Sequence, residues 1–194
     1  MQDMAQAYID QGFDVSCISF RGCSGVPNNS LGGYHLGFTA DLKLYLRLLK
    51  DQPWSDSSTP IYVSGFSLGA NVVLKALGEL GAEARDKYNI RGAAVTSVTL
   101  DAERNVNFID APGFNQFVYS GNFLRTLRKK TKTQLELYCD NDPSTTSFDY
   151  PRAVSAKTMG DFDDAFIAPI YGFESNMDYY RKTSSRYFLD KIVV

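Results

Sequence analysis

The residue of this chain best suited to covalent chemistry is Ser67. The segment Ile61–Asn71 (IYVSGFSLGAN) is an apolar run, then Gly-x-Ser-x-Gly, then a helical pattern. This order is typical of a nucleophile elbow, a sharp turn between a strand and a helix that exposes a serine hydroxyl. Gly65 and Gly69 would remove side chains that collide at such a turn. The backbone N–H of Leu68, at the helix start, would then face an oxyanion on the substrate.

Composition limits the other classes of function. The chain has 194 residues, of which 44% are hydrophobic, enough for one domain with a sizeable core and an insertion. Its formal net charge of -2 gives no general attraction to nucleic acid, so we expect no nucleic-acid partner. Cys17, Cys23 and Cys139 are odd in number and lack the paired spacing of a zinc site, which predicts reduced thiols in an intracellular setting, with Cys17 in the core. We expect neither a metal nor a cofactor.

The sequence predicts neither a transmembrane helix nor a signal peptide, because no apolar run is long enough and no basic start precedes one. A local cluster of positive charge falls on a predicted helix and consists of Arg125, Arg128, Lys129, Lys130 and Lys132. The first interpretation of this cluster is a solvated helix face. Peripheral contact with an anionic membrane surface is the alternative.

The order of the predicted elements indicates an α/β fold. Apolar periodicity predicts a helix from Met1 to Gly12, a buried strand over Asp14–Phe20, a helix from near Thr39 to before Pro53, a strand over Ile61–Ser64, a helix after Ser67 that ends near Gly81, and a strand over Ala93–Leu100. Strands that alternate with helices imply a parallel sheet with right-handed crossovers and helices on both faces.

The pattern changes near Asp101 and predicts a helical lid inserted into the sheet domain. We therefore expect a core over residues 1–100, a helical cap over 101–181 and a return to the core over 182–194. The start of the cap is rich in aromatic residues: Phe108, Phe114, Phe117, Tyr119 and Phe123. These rings either anchor the cap to the body or bind an apolar substrate.

Several motifs in one order resemble the AB hydrolase 4 family of α/β-hydrolases. They are Arg21-Gly-Cys-Ser-Gly25, Tyr34-His-Leu-Gly37, Gly65-Phe-Ser-Leu-Gly-Ala-Asn71, Asp161-Phe-Asp-Asp164 followed by Ala168-Pro169 and Gly172-Phe173, and Asp178-Tyr-Tyr-Arg181. The resemblance covers nearly the whole chain and implies a partial α/β-hydrolase fold with a helical cap. The family includes acylglycerol lipases, phospholipases, esterases and acyltransferases that act on medium-chain acyl esters.

The resemblance assigns only part of an active site. Ser67 matches the nucleophile, and the N–H of Leu68 matches one oxyanion donor. The family's second oxyanion donor, its acid and its catalytic histidine have no match within these residues, so we expect a chain truncated at both ends. His35, the one histidine, falls in the Tyr-His-x-Gly block and is interpreted as structural, as a partner for the neighbouring turn.

Three aspartates are interpreted as structural. Asp142 precedes Pro143 in a predicted turn of the cap. Asp163 and Asp164 are predicted to lie at a helix start, where carboxylates accept bonds from free N–H groups, and not to act as acid or base.

The leading hypothesis is a serine carboxylic ester hydrolase that acts on acyl lipids or medium-chain esters through an acyl-enzyme. An acyltransferase that uses the same nucleophile is one alternative. A catalytically incompetent fragment, or a non-catalytic lipid-binding or interaction module, is another, because no histidine follows Ser67. We expect the chain alone to be a very poor esterase. A nucleotide-binding domain is disfavoured because Arg21–Gly25 lacks the glycine spacing and lysine of a phosphate loop.

Overall fold

The chain folds as helices around a small parallel sheet. The structure is a computed structural model that describes residues 2–27, 29–52 and 58–194, so Met1 and Pro53, which bound two predicted helices, lie outside the described residues. The elements are α1 Gln2–Ile9, α2 Ala40–Lys50, β1 Ile61–Phe66, α3 Leu68–Leu80, α4 Ala82–Asp86, β2 Ile90–Thr96, α5 Ala102–Ile109, α6 Gly121–Tyr138, α7 Tyr150–Ser155, α8 Met159–Phe162, α9 Ala168–Tyr171 and α10 Asn176–Thr183.

Short irregular helices join several of these elements. A π-helical turn over Gln116–Ser120 leads into α6, and another over Asp163–Ile167 joins α8 to α9. Three 3-10 turns complete the described helical structure: Pro143–Thr145, Ser185–Tyr187 and Leu189–Lys191.

Strands β1 and β2 pair in parallel. Helices α3 and α4 lie between them in the sequence. Ile61 pairs with Ile90, and after one irregularity Tyr62 to Phe66 pair in register with Gly92 to Thr96. The connection through α3 and α4 makes this a β-α-β unit, as the alternation of patterns predicts. The predicted α/β class, with a parallel sheet flanked by helices, is confirmed, although the last strand begins three residues earlier than predicted and ends at Thr96.

Two hydrophobic clusters hold the described chain together. One lies against the sheet and combines residues of α2, α3, α4 and the segment that leads into β2: Leu42, Leu46, Val72, Val73, Ala76, Leu77, Ala84, Tyr88 and Ile90. The other lies among the later helices and includes Val106, Leu124, Phe148, Phe162, Phe166 and Tyr180. Leu68, the first residue of α3, packs against both clusters. The turn that carries Ser67 therefore lies where the two clusters meet.

The helices of residues 102–183 leave and rejoin the rest of the chain at neighbouring points. At the start of α5, the N–H of Ala102 donates to the hydroxyl of Ser184 at 2.9 Å. Beside it, Arg186 forms an ion pair with Asp101, and its N–H donates to the carbonyl of Leu100 at 3.1 Å. Because entry and exit lie together, we propose residues 102–183 as the inserted cap and call them the helical region.

The predicted strand over Asp14–Phe20 is wrong. This segment is extended, but none of the backbone groups from Asp14 to Ser19 forms a backbone hydrogen bond with another described residue. β1 pairs with β2 on one edge, and within the described residues its other edge has no strand partner. Since a strand exists only through its ladder, an apolar run without a neighbour stays unpaired. Cys17 is accordingly exposed, which contradicts its predicted place in the core.

Anchoring of the cap by its early aromatic residues is also wrong. Five rings stay at least two-fifths exposed: Phe108, Phe114, Phe117, Tyr119 and Phe123. The helical region is held instead by its own buried aromatic residues, such as Phe162 and Phe166, whose rings stack with centroids 5.2 Å apart.

Asn71 connects three separate parts of the chain. It lies in the first turn of α3 and is fully buried. Its amide nitrogen donates to the carbonyls of Leu36 at 2.8 Å and Thr183 at 2.9 Å, and its carbonyl oxygen accepts from the N–H of Ser185 at 2.9 Å. One side chain thus fixes α3 to the Tyr-His-x-Gly block and to the end of α10.

We expect Asn71→Ala to lower the free energy of unfolding by about 3 kcal/mol, because it leaves three buried backbone groups without partners. Urea denaturation followed by circular dichroism measures the change. Asn122→Ala is the matched control, because exposed Asn122 makes one bond, to the carbonyl of Val118. Its effect should stay within about 0.5 kcal/mol. Equal stability of the two variants would contradict the connecting role of Asn71.

Candidate active site

Ser67 occupies a sharp corner between β1 and α3. Its backbone has φ 53° and ψ -122°, a combination that L-residues rarely adopt and that costs on the order of 1–3 kcal/mol. The N–H of Ser67 donates to the carbonyl of Thr96 at 3.0 Å, and its own carbonyl accepts from the N–H groups of Ala70 and Asn71. The strained residue is therefore fixed by the sheet on one side and by the helix on the other.

The two glycines of the motif have different functions. A Cβ at Gly65 would lie 2.8 Å from the Cα of Ala70 and 2.8 Å from the carbonyl oxygen of Gly69, so only glycine lets the strand pass the helix start. A Cβ at Gly69 would meet only the ring of Phe20 at 3.8 Å, an ordinary contact. The prediction that a side chain would collide at the turn is confirmed for Gly65 and is wrong for Gly69.

The two glycines offer a matched pair of substitutions. We expect Gly65→Ala to destabilise the protein by about 1–3 kcal/mol, because the methyl group forces the strand and helix apart. Gly69→Ala should be neutral or slightly stabilising, since alanine favours the helix and has room. Urea unfolding of both variants provides the measurement. A loss in Gly69→Ala equal to that in Gly65→Ala would show that the close approach at Gly65 is not the constraint.

The Ser67 hydroxyl and the Leu68 N–H are both available to a ligand. Ser67 is exposed, and its side chain accepts no bond from the helix that it precedes, although serine commonly caps helices in this way. Within the described chain, the N–H of Leu68 has no hydrogen-bond partner. A hydroxyl and an unpaired N–H thus lie side by side at the N-terminus of a 13-residue helix, where the helix dipole favours negative charge.

A cavity of about 2180 Å³ adjoins this corner, and both Ser67 and Leu68 line it. One part of its wall comes from the helical region and is mostly apolar: Val106, Ile109, Phe123, Leu127, Met159, Phe162 and Ile167. Another part comes from the unpaired segment before Arg21 and from β1. The volume exceeds the roughly 300–1,000 Å³ of a typical ligand pocket. The apolar wall of the helical region is suited to a hydrocarbon chain.

Asp163 contributes a carboxyl group to this cavity wall and is itself buried. Burial raises its pKa to about 7; the hydroxyl of Tyr180, which donates to it at 2.7 Å, opposes this shift, and the charge of Asp110 adds to it. Asp163 is the first residue of the π-helical turn that follows α8, but its carboxyl accepts the hydroxyl of Tyr180 and not the N–H groups of a helix start that were predicted as its partners. Its burial and its bond to Tyr180 escape sequence analysis because they depend on the packing of α10.

Asp163 makes stability depend on pH. Its pKa is higher in the folded chain than the usual 3.8. Its contribution to the free energy of unfolding is therefore complete below about pH 4 and is lost as the pH rises through about 7. Asp163→Asn should therefore gain stability relative to the natural protein as the pH rises from 5 to 8, by a few kcal/mol. Urea unfolding across this range measures the difference.

Asp164→Asn is the control for this experiment. Asp164 pairs with Arg152 at 2.9 Å and accepts the N–H of Asn176, the first residue of α10, at 3.0 Å. Asp164 thus binds the start of α10, whereas the sequence predicted that it would bind the start of its own helix. The control should keep the natural loss of stability between pH 5 and 8. A parallel pH profile for Asp163→Asn and the natural protein would refute the assignment to Asp163.

Asp110 fixes the helix start near Asp163 and was missed by sequence analysis. Its carboxylate accepts the N–H groups of Met159 at 2.8 Å and Gly160 at 2.9 Å and the hydroxyl of Ser120 at 2.6 Å. Sequence offers no signal for this, because Asp110 lies 49 and 50 residues before the N–H groups that it binds.

His35 is a structural residue in this fold. Its Nδ1 accepts the N–H of Gly37 at 3.2 Å, within the turn that was predicted to be its partner. The ring is buried and lies next to the rings of Tyr171 and Tyr179, with centroids 4.3 and 5.5 Å away. Burial, and then the positive charges of Lys75 and Arg21, lower its pKa to about 4. It is therefore a weak base at neutral pH.

Asp142 caps a 3-10 turn, as its interpretation as a turn residue predicts. Its side chain accepts the N–H of Ser144 at 2.8 Å. That bond, together with the hydroxyl of Ser144, keeps the pKa of the carboxyl below its usual value. A carboxylate occupied in this way belongs to the turn.

A parallel β-α-β unit with a strained serine at the strand–helix corner, beneath a helical region, defines the α/β-hydrolase class of fold. Comparison with known proteins supports the same class. The chain is 30% identical over 189 residues to YheT of Escherichia coli (strain K12), whose name assigns it provisionally to the esterases, with 97% of this chain covered. It is 24% identical to an abhydrolase domain-containing protein of Dictyostelium discoideum and 25% identical to a monoacylglycerol lipase of Saccharomyces cerevisiae, with 93% and 89% covered.

These similarities confirm the resemblance to the α/β-hydrolases. The chain spans about half the length of the curated relatives it matches, 52% of the Escherichia coli protein, 43% of the Dictyostelium protein and 37% of the yeast lipase. No protein-family model matches the chain, and no solved structure matches it. In the ranges that the structure describes, no helix combines the length and the apolar character needed to cross a bilayer.

Proposed function

We propose that this chain carries the nucleophile-bearing part of a serine carboxylic ester hydrolase that acts on acyl lipids or medium-chain esters. The strained backbone of Ser67 is the observation that carries the proposal, because such strain persists only where the surrounding structure maintains it. The relatives named as esterase and as monoacylglycerol lipase support the same reaction class.

In this mechanism the Ser67 oxygen attacks the ester carbonyl carbon, and its proton passes to a base. The carbonyl oxygen gains the negative charge and accepts a hydrogen bond from the N–H of Leu68. Such a bond stabilises the transition state by about 3 kcal/mol. The bond to the leaving oxygen then breaks as the base returns the proton to it, which releases the alcohol and leaves an acyl-serine. Water releases the acyl group as an acid, whereas an alcohol accepts it in the acyltransferase alternative. The apolar wall of the cavity binds the acyl chain.

A second candidate function is acyl-lipid binding without turnover. The state of His35 favours it, since the one histidine of the chain is buried, bonded to Gly37 and a weak base. A Ser67 hydroxyl without an effective base is a poor nucleophile. The apolar cavity would remain a binding site in either case.

Labelling by a fluorophosphonate probe tests the nucleophile directly. We expect slow modification of the 194-residue chain at Ser67, because the corner exposes the hydroxyl beside a free N–H. Peptide mass spectrometry should locate the label at Ser67, and Ser67→Ala should lower total labelling at least tenfold. Ser64→Ala is the control, since Ser64 is an exposed serine of β1 three residues away, and it should label within twofold of the natural chain.

Label spread over several serines, or unchanged labelling of Ser67→Ala, would exclude Ser67 as the activated residue. Absence of labelling, together with saturable binding of the fluorescent fatty acid cis-parinaric acid, would instead favour the second candidate.

A further inference from the structure

The start of the helical region has a charge opposite to that of the whole chain. Residues 111–135 contain no aspartate or glutamate but five lysines and arginines, whereas the chain as a whole has a net charge of -2. This stretch includes the π-helical turn Gln116–Ser120 and most of α6. The surface around it therefore carries a local positive potential, which attracts an anionic partner at close range.

Only part of this charge faces solvent. Arg128 donates to the carbonyl of Ala156, and the Lys130 ammonium lies 4.9 Å from the ring centroid of Tyr34, so both side chains are directed toward the protein. Arg125, Lys129 and Lys132 are exposed, and in the described part of the chain none of them has an acidic partner. The solvated-face interpretation thus applies to three of the five residues.

Exposed aromatic rings adjoin this row of charge. Phe117 is 83% exposed and precedes Gly121 by four residues and Arg125 by eight, so it lies on the same side of the continuous helical stretch. Phe114 is 74% exposed and Phe108 64%. The side-chain amide of Asn115 donates to the backbone carbonyl of Phe108 at 3.1 Å, which ties the backbone after α5 to the segment that carries Phe114 and Phe117.

We propose that these residues form a docking surface for a bilayer that contains anionic phospholipid. We call it the cationic aromatic face: Phe108, Phe114, Phe117, Arg125, Lys129 and Lys132. The phenylalanine rings would enter the acyl boundary of the bilayer while the basic side chains meet lipid phosphate and carboxylate groups. Phenyl rings have no hydrogen-bonding group for a charged protein surface, and the net charge of -2 gives no general attraction to nucleic acid, so the combination favours lipid.

The position of this face also suits an enzyme of lipids, although the proposal does not rest on turnover. Phe123, one turn before Leu127, is exposed and also lines the cavity next to Ser67. A chain seated on a bilayer through Phe114 and Phe117 would have one wall of its apolar cavity close to the lipid surface.

Sedimentation with large unilamellar vesicles tests the proposal without any activity measurement. We expect binding to phosphatidylcholine vesicles that contain 30% phosphatidylserine, weaker binding to pure phosphatidylcholine, and loss of binding as NaCl is raised. Each basic residue near an anionic surface contributes about a fivefold gain in affinity. The triple variant Arg125→Gln, Lys129→Gln, Lys132→Gln should therefore bind at least tenfold more weakly, and so should Phe114→Ser with Phe117→Ser.

The control removes two positive charges elsewhere. Arg85→Gln with Lys87→Gln changes exposed residues at α4, which lies outside the cationic aromatic face, and should bind vesicles within twofold of the natural chain. Ser67→Ala should also bind unchanged, so a failed labelling experiment and a failed docking experiment remain distinguishable. Circular dichroism confirms that the variants stay folded.

Three results would overturn the proposal. One is the absence of vesicle binding at low salt, and another is equal loss in the α4 control. The third is a different partner in the absence of vesicle binding. That partner would be an RNA or DNA oligonucleotide, or a second copy of the chain if Phe114→Ser with Phe117→Ser abolishes self-association.

Discussion

The burial of one amide, that of Asn71, is the constraint on which the rest of the structure depends. Helix α3 begins directly after the strained Ser67. Four residues after Ser67, Asn71 binds the backbone of Leu36, which precedes it in the sequence, and of Thr183 and Ser185, which follow it. A buried amide satisfied by three backbone partners permits little displacement, because each lost bond leaves an unsatisfied polar group in the interior. The orientation of α3, and therefore of the serine at its start, is fixed by contacts with Leu36, Thr183 and Ser185.

The strain at Ser67 is consistent with this arrangement. A residue at φ 53° and ψ -122° would relax if either flank could move. β1 and the start of α3 lie so close together that a Cβ at Gly65 would be 2.8 Å from the Cα of Ala70. α3 is held by Asn71 and by the buried Val72, Val73 and Leu77. The geometry that exposes the hydroxyl is thus a result of packing on both sides of the corner.

Sequence predicts what is local and misses what depends on distant partners. The elbow, its flanking strand and helix, and the helical character of residues 102–183 all follow from short-range patterns, and the structure contains them. The importance of Asn71 was accessible in principle, since a polar residue between Ala70 and Val72 on an apolar helix indicates a buried hydrogen bond. The bonds of Asp110 and Asp163 were not accessible, because their partners lie on other helices.

The unpaired segment over 14–20 also shows that structure depends on distant partners, because here a local pattern predicts a strand that does not form. Its composition is that of a strand, yet strand structure belongs to a pair of segments and cannot be specified by one of them. Within the described residues, this segment and β1 both line the cavity that Ser67 lines, and β1 has no strand partner on its other edge. The serine corner is formed by β1, β2 and α3, and the segment over 14–20 contributes no backbone hydrogen bond to it. The backbone geometry of Ser67 is therefore set without that segment, whereas the acyl-chain site that we propose involves the cavity that the segment also lines.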